Sequence, residues 1–332
     1  VIKMIKTING TIKNKISKKY IVIYSLIISG LLLLPLFLTP FTIRMLIMAG
    51  IYMVLAMSLN LITGITGQLS LGHAAFYGIG AYTSALLSIR LGFGFLITAL
   101  LGGIFTAIIA SILGAATLKL QGAYLAIVTL GFSEIVRIIL LNWMSLTRGP
   151  MGITGIPRPK ILNYQINSSS DYYYLILIIV VVTYISMNRI IDSRLGRAFR
   201  AIKEDDLAAQ SMGINVLRYK IMAFTISAFY AGIAGSFYAH YVTYIDPQSF
   251  TFGESIQILS MVVLGGLGSM QGVMLGASIL VFAPELMRSL AQYRMIIYGG
   301  ILSIMMIVRP EGILGSRKGK KREVDTVVTE GA

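Results

Sequence analysis

The chain has 332 residues, of which 56% are hydrophobic and 12% charged, and its mean hydropathy is +0.81. A soluble domain carries about 25% charged residues, so this much apolar surface cannot be hidden in one globular core, and lipid is the expected solvent. There is no cysteine, which excludes disulfide, thiolate and cysteine–metal chemistry.

Basic residues outnumber acidic ones 28 to 13, and their placement argues for membrane topology and against nucleic acid. Lys3, Lys6, Lys13, Lys15, Lys18 and Lys19 open the chain. Arg309, Arg317, Lys318, Lys320, Lys321 and Arg322 close it, and Arg189, Arg194, Arg197, Arg200, Lys203, Arg218 and Lys220 flank one central loop. Clusters beside apolar runs follow the positive-inside rule and predict that both termini and the central loop are cytoplasmic. The first apolar run follows a basic stretch, as a signal peptide would. Leu33–Phe41 is bulky, however, and contains Pro35 and Pro40 where a small-x-small cleavage site is needed, so it reads as a retained span.

Apolar runs of roughly 20 residues cross the hydrocarbon layer as helices; the ten-residue alternation of a membrane barrel is absent. The sequence predicts an all-α polytopic membrane protein with about ten transmembrane helices. They fall near 21–38, 43–62, 72–89, 94–118, 121–141, 172–188, 219–240, 252–266, 269–287 and 292–309. Residues 1–20 then form a basic cytoplasmic N-terminus, 21–309 the transmembrane domain and 310–332 a cytoplasmic tail.

Between the second and third spans, Gly64–Gly72 places Thr66, Gln68 and Ser70, with His73 just beyond, in an apolar region. Irregular backbone at membrane depth is tolerated where it lines a cavity or is buried in protein. Gln68, Ser70, His73 and, further along, Tyr82 are therefore candidates for a translocation path, with structural burial as the competing reading. His73 by itself reads better as a buried hydrogen-bonding group than as a proton relay. In the fifth span Glu134 and Arg137 stand three apart, the spacing of an intrahelical ion pair. The following loop, 142–171, holds Trp143 and the turn-rich Arg148–Pro157. Trp143 and Tyr172–Tyr174 are expected as interfacial anchors.

The central loop, about 189–219, is the largest hydrophilic piece between spans. Leu195, Ala198, Phe199 and Ile202 form one helical stripe. Glu204, Asp205 and Asp206 follow, then Leu207, Ala208, Ala209, Met212 and Gly213. Acidic residues suit a helix start, with Asp206 the expected N-cap, and glycine suits a left-handed stop. The prediction is a short helix presenting Leu207 and Met212, an object able to sit in a groove of a partner. Further on, Gly268, Gly272 and Gly276 recur every four residues, as on a smooth helix-packing face. Gly72 and Gly80-Ala81 are spaced like Gly268 and Gly276-Ala277, a hint of two related halves with breaks at matching positions.

Ala208-Ala209-x-x-x-Gly213 resembles the core of the cytoplasmic coupling loop of ABC importer permeases. The longer phrase Arg200–Asn215 resembles that of branched-chain amino acid permeases of the LivM type, although Leu207 stands where the general motif begins with Glu. Gly67–Tyr82, Arg148–Pro157 and Gly265–Gly276 resemble the same family, in the same order along residues 40–315. The resemblance implies a permease subunit of an ATP-driven importer of leucine, isoleucine and valine in the bacterial inner membrane. It implies as partners a second permease of the LivH type, two cytoplasmic ATPase subunits and an extracytoplasmic solute-binding protein. ATP and Mg would be bound by the ATPases, with no cofactor or metal in this chain. No side chain names the substrate, so a permease for urea, short amides or another small polar solute is the nearest rival, followed by a secondary transporter or channel. An enzyme is disfavoured: the only histidines are His73 and His240, and no zinc motif is present.

Overall fold

The computed structural model describes residues 34–35, 37–118, 120, 122–161, 164–286, 299–300, 303 and 312–314. Most of the expected first and last spans, the basic N-terminus and the C-terminal tail other than 312–314 lie outside those residues.

Ten helices, numbered α1 to α10, organise the described chain: α1 Pro40–Asn60, α2 His73–Leu91, α3 Phe95–Thr117, α4 Ala123–Asn142, α5 Ser169–Asp192, α6 Arg194–Glu204, α7 Asp206–Ser211, α8 Val216–Val242, α9 Phe252–Gly265 and α10 Met270–Leu286. Single turns and four two-residue strands complete the loops. Strands β1 (Ile153–Thr154) and β4 (Tyr244–Ile245) pair antiparallel, as do β2 (Lys160–Ile161) and β3 (Tyr164–Gln165).

Helix ends follow local chemistry. At α1, Pro40 occupies the first turn, and the Thr39 side chain accepts from the Thr42 N–H. At α5, Ser168 and Asp171 form a reciprocal capping box. Five helices are long and apolar enough to span a bilayer: Pro40–Ile65, which adds one π-helical turn to α1, together with α3, α4, α5 and α8. The chain is thus a polytopic membrane protein. Helix α2, with 19 residues, falls short in apolarity rather than length, because its faces are turned inward. Helices α9 and α10 are shorter. At 14 residues, α9 rises about 21 Å, less than the ~30 Å hydrocarbon thickness.

The centre of the bundle is α1, α2 and α8. Of the most apolar window in Pro40–Ile65, 72% is buried, against 33% for each of α3, α4 and α5. Those three display Leu100, Ile108, Ile127, Ile135, Ile178 and Val182 outward, the composition of a lipid-facing ring. On α4, Arg137 Nε meets Glu134 Oε2 at 2.8 Å, the ion pair expected from their spacing. Helices α2 and α8 touch backbone to backbone: a Cβ on Gly235 would lie 2.0 Å from the Tyr77 carbonyl oxygen. Such proximity is what small residues provide where helices associate in lipid. Phe76, Phe224, Phe237 and Phe250 fill the space beside this seam.

Two expectations need correction. Tyr172 and Tyr173 are buried within the protein and not displayed to their surroundings as anchors would be; Tyr172 donates its hydroxyl proton to the His240 carbonyl at 3.3 Å, because α5 turns that face inward. Trp143 is exposed. The glycine series is also split. Gly272 and Gly276 pack against the backbone of α9 at Gly265 and Met261, whereas Gly268 precedes α10 in a turn with φ +91° and is not on the helical face.

Replacing Gly235 by alanine is expected to destabilise the bundle by roughly 1–3 kcal/mol through overpacking. Gly131, whose Cβ position is open, should accept alanine with a gain of up to about 1 kcal/mol. Thermal midpoints of the two variants in detergent check the contrast.

Candidate functional site

The segment joining α5 to α8 is built from two consecutive helices. Ser193 caps α6 by accepting from the Leu195 N–H, and α6 buries Ala198, Phe199 and Ile202, three of the four residues in the apolar stripe. The N-cap of α7 is Asp205, not Asp206: its Oδ1 accepts from the N–H groups of Leu207 and Ala208 at 2.8 and 3.0 Å. Asp205 has an extended backbone (φ −161°), so the helix starts one residue earlier than the acidic run suggested. Asp206 is thereby released from capping, and its carboxylate pairs with the Lys220 ammonium on α8.

At the far end Gly213 adopts φ +82°, the left-handed stop that glycine permits. Helix α7 is therefore only six residues long, held at both ends and by buried Ala209. Leu207 and Met212 stand 76% and 82% exposed, with Glu204 and Ala208 also exposed.

The second group of candidates lies where α1 ends. Leu61–Ile65 forms a π turn, a feature frequent at functional sites. The Gln68 N–H bonds Ile62 instead of Gly64, so the Gly64 carbonyl loses its helical donor. Lys203, in the last turn of α6, donates to that carbonyl. Beyond the turn, the loop is held by side chains from other helices: the Leu71 N–H donates to Thr129 Oγ1 of α4 and the Ala74 N–H to Ser255 Oγ of α9, each at 3.0 Å.

Gln68, Ser70, His73 and Tyr82 are all buried, and each has a polar atom with no hydrogen-bond partner among the described residues: both amide atoms of Gln68, Ser70 Oγ, His73 Nδ1 and Tyr82 Oη. The Ser58 hydroxyl gives its proton to the Leu55 carbonyl, so His73 Nε2 donates to Ser58 Oγ at 2.7 Å and Nδ1 is an acceptor. His73 is thus bonded on one side and unsatisfied on the other. Most buried polar groups are paired; four incompletely paired residues between 68 and 82 mark this stretch as unusual.

A second interruption, residues 266–269 between α9 and α10, abuts the first. The Gly268 N–H donates to Asn60 Oδ1 at 2.8 Å, and a Cβ on Gly64 would lie 2.5 Å from the Gly268 nitrogen. The last carbonyls of α9, Leu264 and Gly265, accept from the N–H groups of Ile313 and Leu314 at 3.0 and 3.1 Å. Sequence reasoning had missed Asn60, although a lone amide in an apolar helix is itself a signal, and had counted Lys203 and Lys220 only as topology charges.

A family model described as "Branched-chain amino acid transport system / permease component" matches residues 41–309. The chain belongs to this family. It is a permease component, a membrane subunit without catalytic chemistry of its own. It is 41% identical over 290 residues to the high-affinity branched-chain amino acid transport system permease protein LivM of Salmonella typhimurium, covering 80% of this chain and 68% of that protein. Similarity to LivM of Escherichia coli is the same, 41% over 287 residues. The LivH permease of Escherichia coli is 29% identical over 295 residues, 81% of this chain and 93% of LivH. No solved structure matches.

Removing the cap of α7 with Asp205→Ala is expected to cost about 1 kcal/mol of local helix stability, read as roughly fivefold faster amide hydrogen exchange at Leu207 and Ala208. Asp205→Asn, which keeps an accepting oxygen, should exchange nearly as slowly as the parent chain.

Proposed function

We propose that this permease carries leucine, isoleucine and valine into the cell, driven by separate ATPase subunits that grip α7. In this reading α7 is the coupling helix, with Glu204–Ala209, Met212 and Gly213 forming the contact. The complex contains a second permease of the LivH type, two ATPases that bind ATP and Mg, and an extracytoplasmic binding protein. The chain crosses the membrane about ten times with both termini in the cytoplasm, and its two halves are related. The 61–72 break before α2 and the 266–269 break before α10 are the matching elements that support the repeat.

The observation that carries the proposal is the combination of rigidity and display in α7. A six-residue helix is unstable alone, yet here an Asp205 cap, the Asp206–Lys220 pair and buried Ala209 hold it while Leu207 and Met212 stay uncovered. A rigid apolar knob transmits motion; a flexible one would absorb it.

Gln68, Ser70, His73 and Tyr82 line the path in this proposal. Their unsatisfied polar atoms are ready to hydrogen-bond to a passing zwitterion or its water, and the free energy for moving it comes from nucleotide-dependent docking at α7.

Exchanging both Leu207 and Met212 for glutamate is expected to lower ATP-driven leucine uptake by at least tenfold in proteoliposomes containing the whole complex, with membrane insertion unchanged. Undiminished uptake by the double variant would refute the role of α7. Comparing leucine, valine, urea and ribose in the parent complex tests the substrate class.

A further inference from the structure

Resting on α7 being the coupling helix, we infer that Lys203 is the positioning residue that ties this helix to the two helix breaks, by holding the Gly64 carbonyl at their junction.

The geometry runs without interruption from the exposed surface to the centre of the bundle. Lys203 is one residue from the end of α6, and Asp205, two residues on, caps α7, so a single residue separates Lys203 from the α7 cap. Its ammonium donates to the Gly64 carbonyl, the acceptor freed by the π turn. Its stem lies against the same loop: a Cβ on Gly67 would sit 3.1 Å from Lys203 Cγ and 3.5 Å from Lys203 Cβ. Behind Gly64 the space is closed, with Asn60 Oδ1 2.0 Å and the Gly268 nitrogen 2.5 Å from a Cβ placed there. Asn60 in turn bonds the Gly268 N–H. A displacement of α6 and α7 therefore pulls on the π turn, and the π turn cannot shift without disturbing the turn between α9 and α10.

Two other features lie between α7 and the break. A cavity of about 390 Å³ separates α7 from the break, lined by Thr66, Gln68, Leu125, Lys203, Asp205 and Leu207 among others. Of these residues Lys203 spans to the break with a hydrogen bond. Lys220 joins α7 to α8, which also packs against the π turn, whereas the Gly64 carbonyl itself is held by Lys203. A lysine suits the task because a charged donor to a carbonyl is stronger than a neutral one, and because four methylenes reach across while covering apolar surface.

The test uses the full complex with both permeases, the ATPases and the binding protein in proteoliposomes, measuring leucine uptake and ATP hydrolysis together. Lys203→Met keeps the apolar stem and removes the donor. The expected result is a drop of at least tenfold in leucine moved per ATP hydrolysed, with hydrolysis within twofold of the parent and the ATPases still copurifying. Lys203→Arg, which keeps a charged donor of similar reach, should recover at least a third of the parent ratio.

An unchanged ratio in Lys203→Met overturns the inference, as does a parallel loss of hydrolysis and copurification, which would make Lys203 a prop for the docking surface. Failure of Lys203→Arg to improve on methionine overturns it as well. The outcome is separable from the coupling role of α7, since changing Leu207 and Met212 attacks the contact with the ATPases, whereas Lys203→Met leaves that contact in place.

Discussion

A backbone amide or carbonyl left unpaired in hydrocarbon costs several kcal/mol, and this chain interrupts its helices at two places inside the bundle. Several backbone groups at those interruptions are answered from elsewhere in the chain. The Gly268 N–H is taken by Asn60, the Gly64 carbonyl by Lys203, the Leu71 and Ala74 N–H groups by Thr129 and Ser255, and the Leu264 and Gly265 carbonyls by the backbone of Ile313 and Leu314. Each break is satisfied by groups from elsewhere in the chain, never by its own neighbours alone. The two breaks and the polar loop between α5 and α8 form one interdependent unit.

That interdependence sits inside a body of uneven packing. Helices α1, α2 and α8 meet so closely that side chains give way to backbone, as at Gly235 and Tyr77. Around them α3, α4 and α5 are largely uncovered and apolar. The same close approach recurs between α9 and α10, where Gly272 and Gly276 meet the α9 backbone at Gly265 and Met261.

The polar loop shows how neighbouring residues of one charge take different tasks. Asp205 caps a helix through its own backbone conformation, a local effect. Asp206 pairs with Lys220 across fourteen residues of chain, a tertiary effect. Leu207, next in line, does neither and is displayed. The family relationship assigns the chain to branched-chain amino acid transport, and under the proposed function this segment is the contact through which partner subunits act on it.

Sequence alone determined the solvent, the helical class and the ends of most described elements. Those properties depend on apolar run length, on proline and glycine placement and on local caps, all of which act over a few residues. It also singled out Gln68, Ser70, His73 and Tyr82 as unusual, because polar groups are conspicuous in an apolar run. Only the tertiary structure decided which acid caps α7, that Gly268 belongs to a turn, that Tyr172 and Tyr173 face inward and that Lys203 and Asn60 serve the breaks. Apart from the Asp205 cap, whose choice turns on one residue's backbone conformation, those outcomes depend on partners distant in sequence, Gly64, Gly268 and His240 among them, and no periodicity within a segment encodes the identity of a neighbour from another helix.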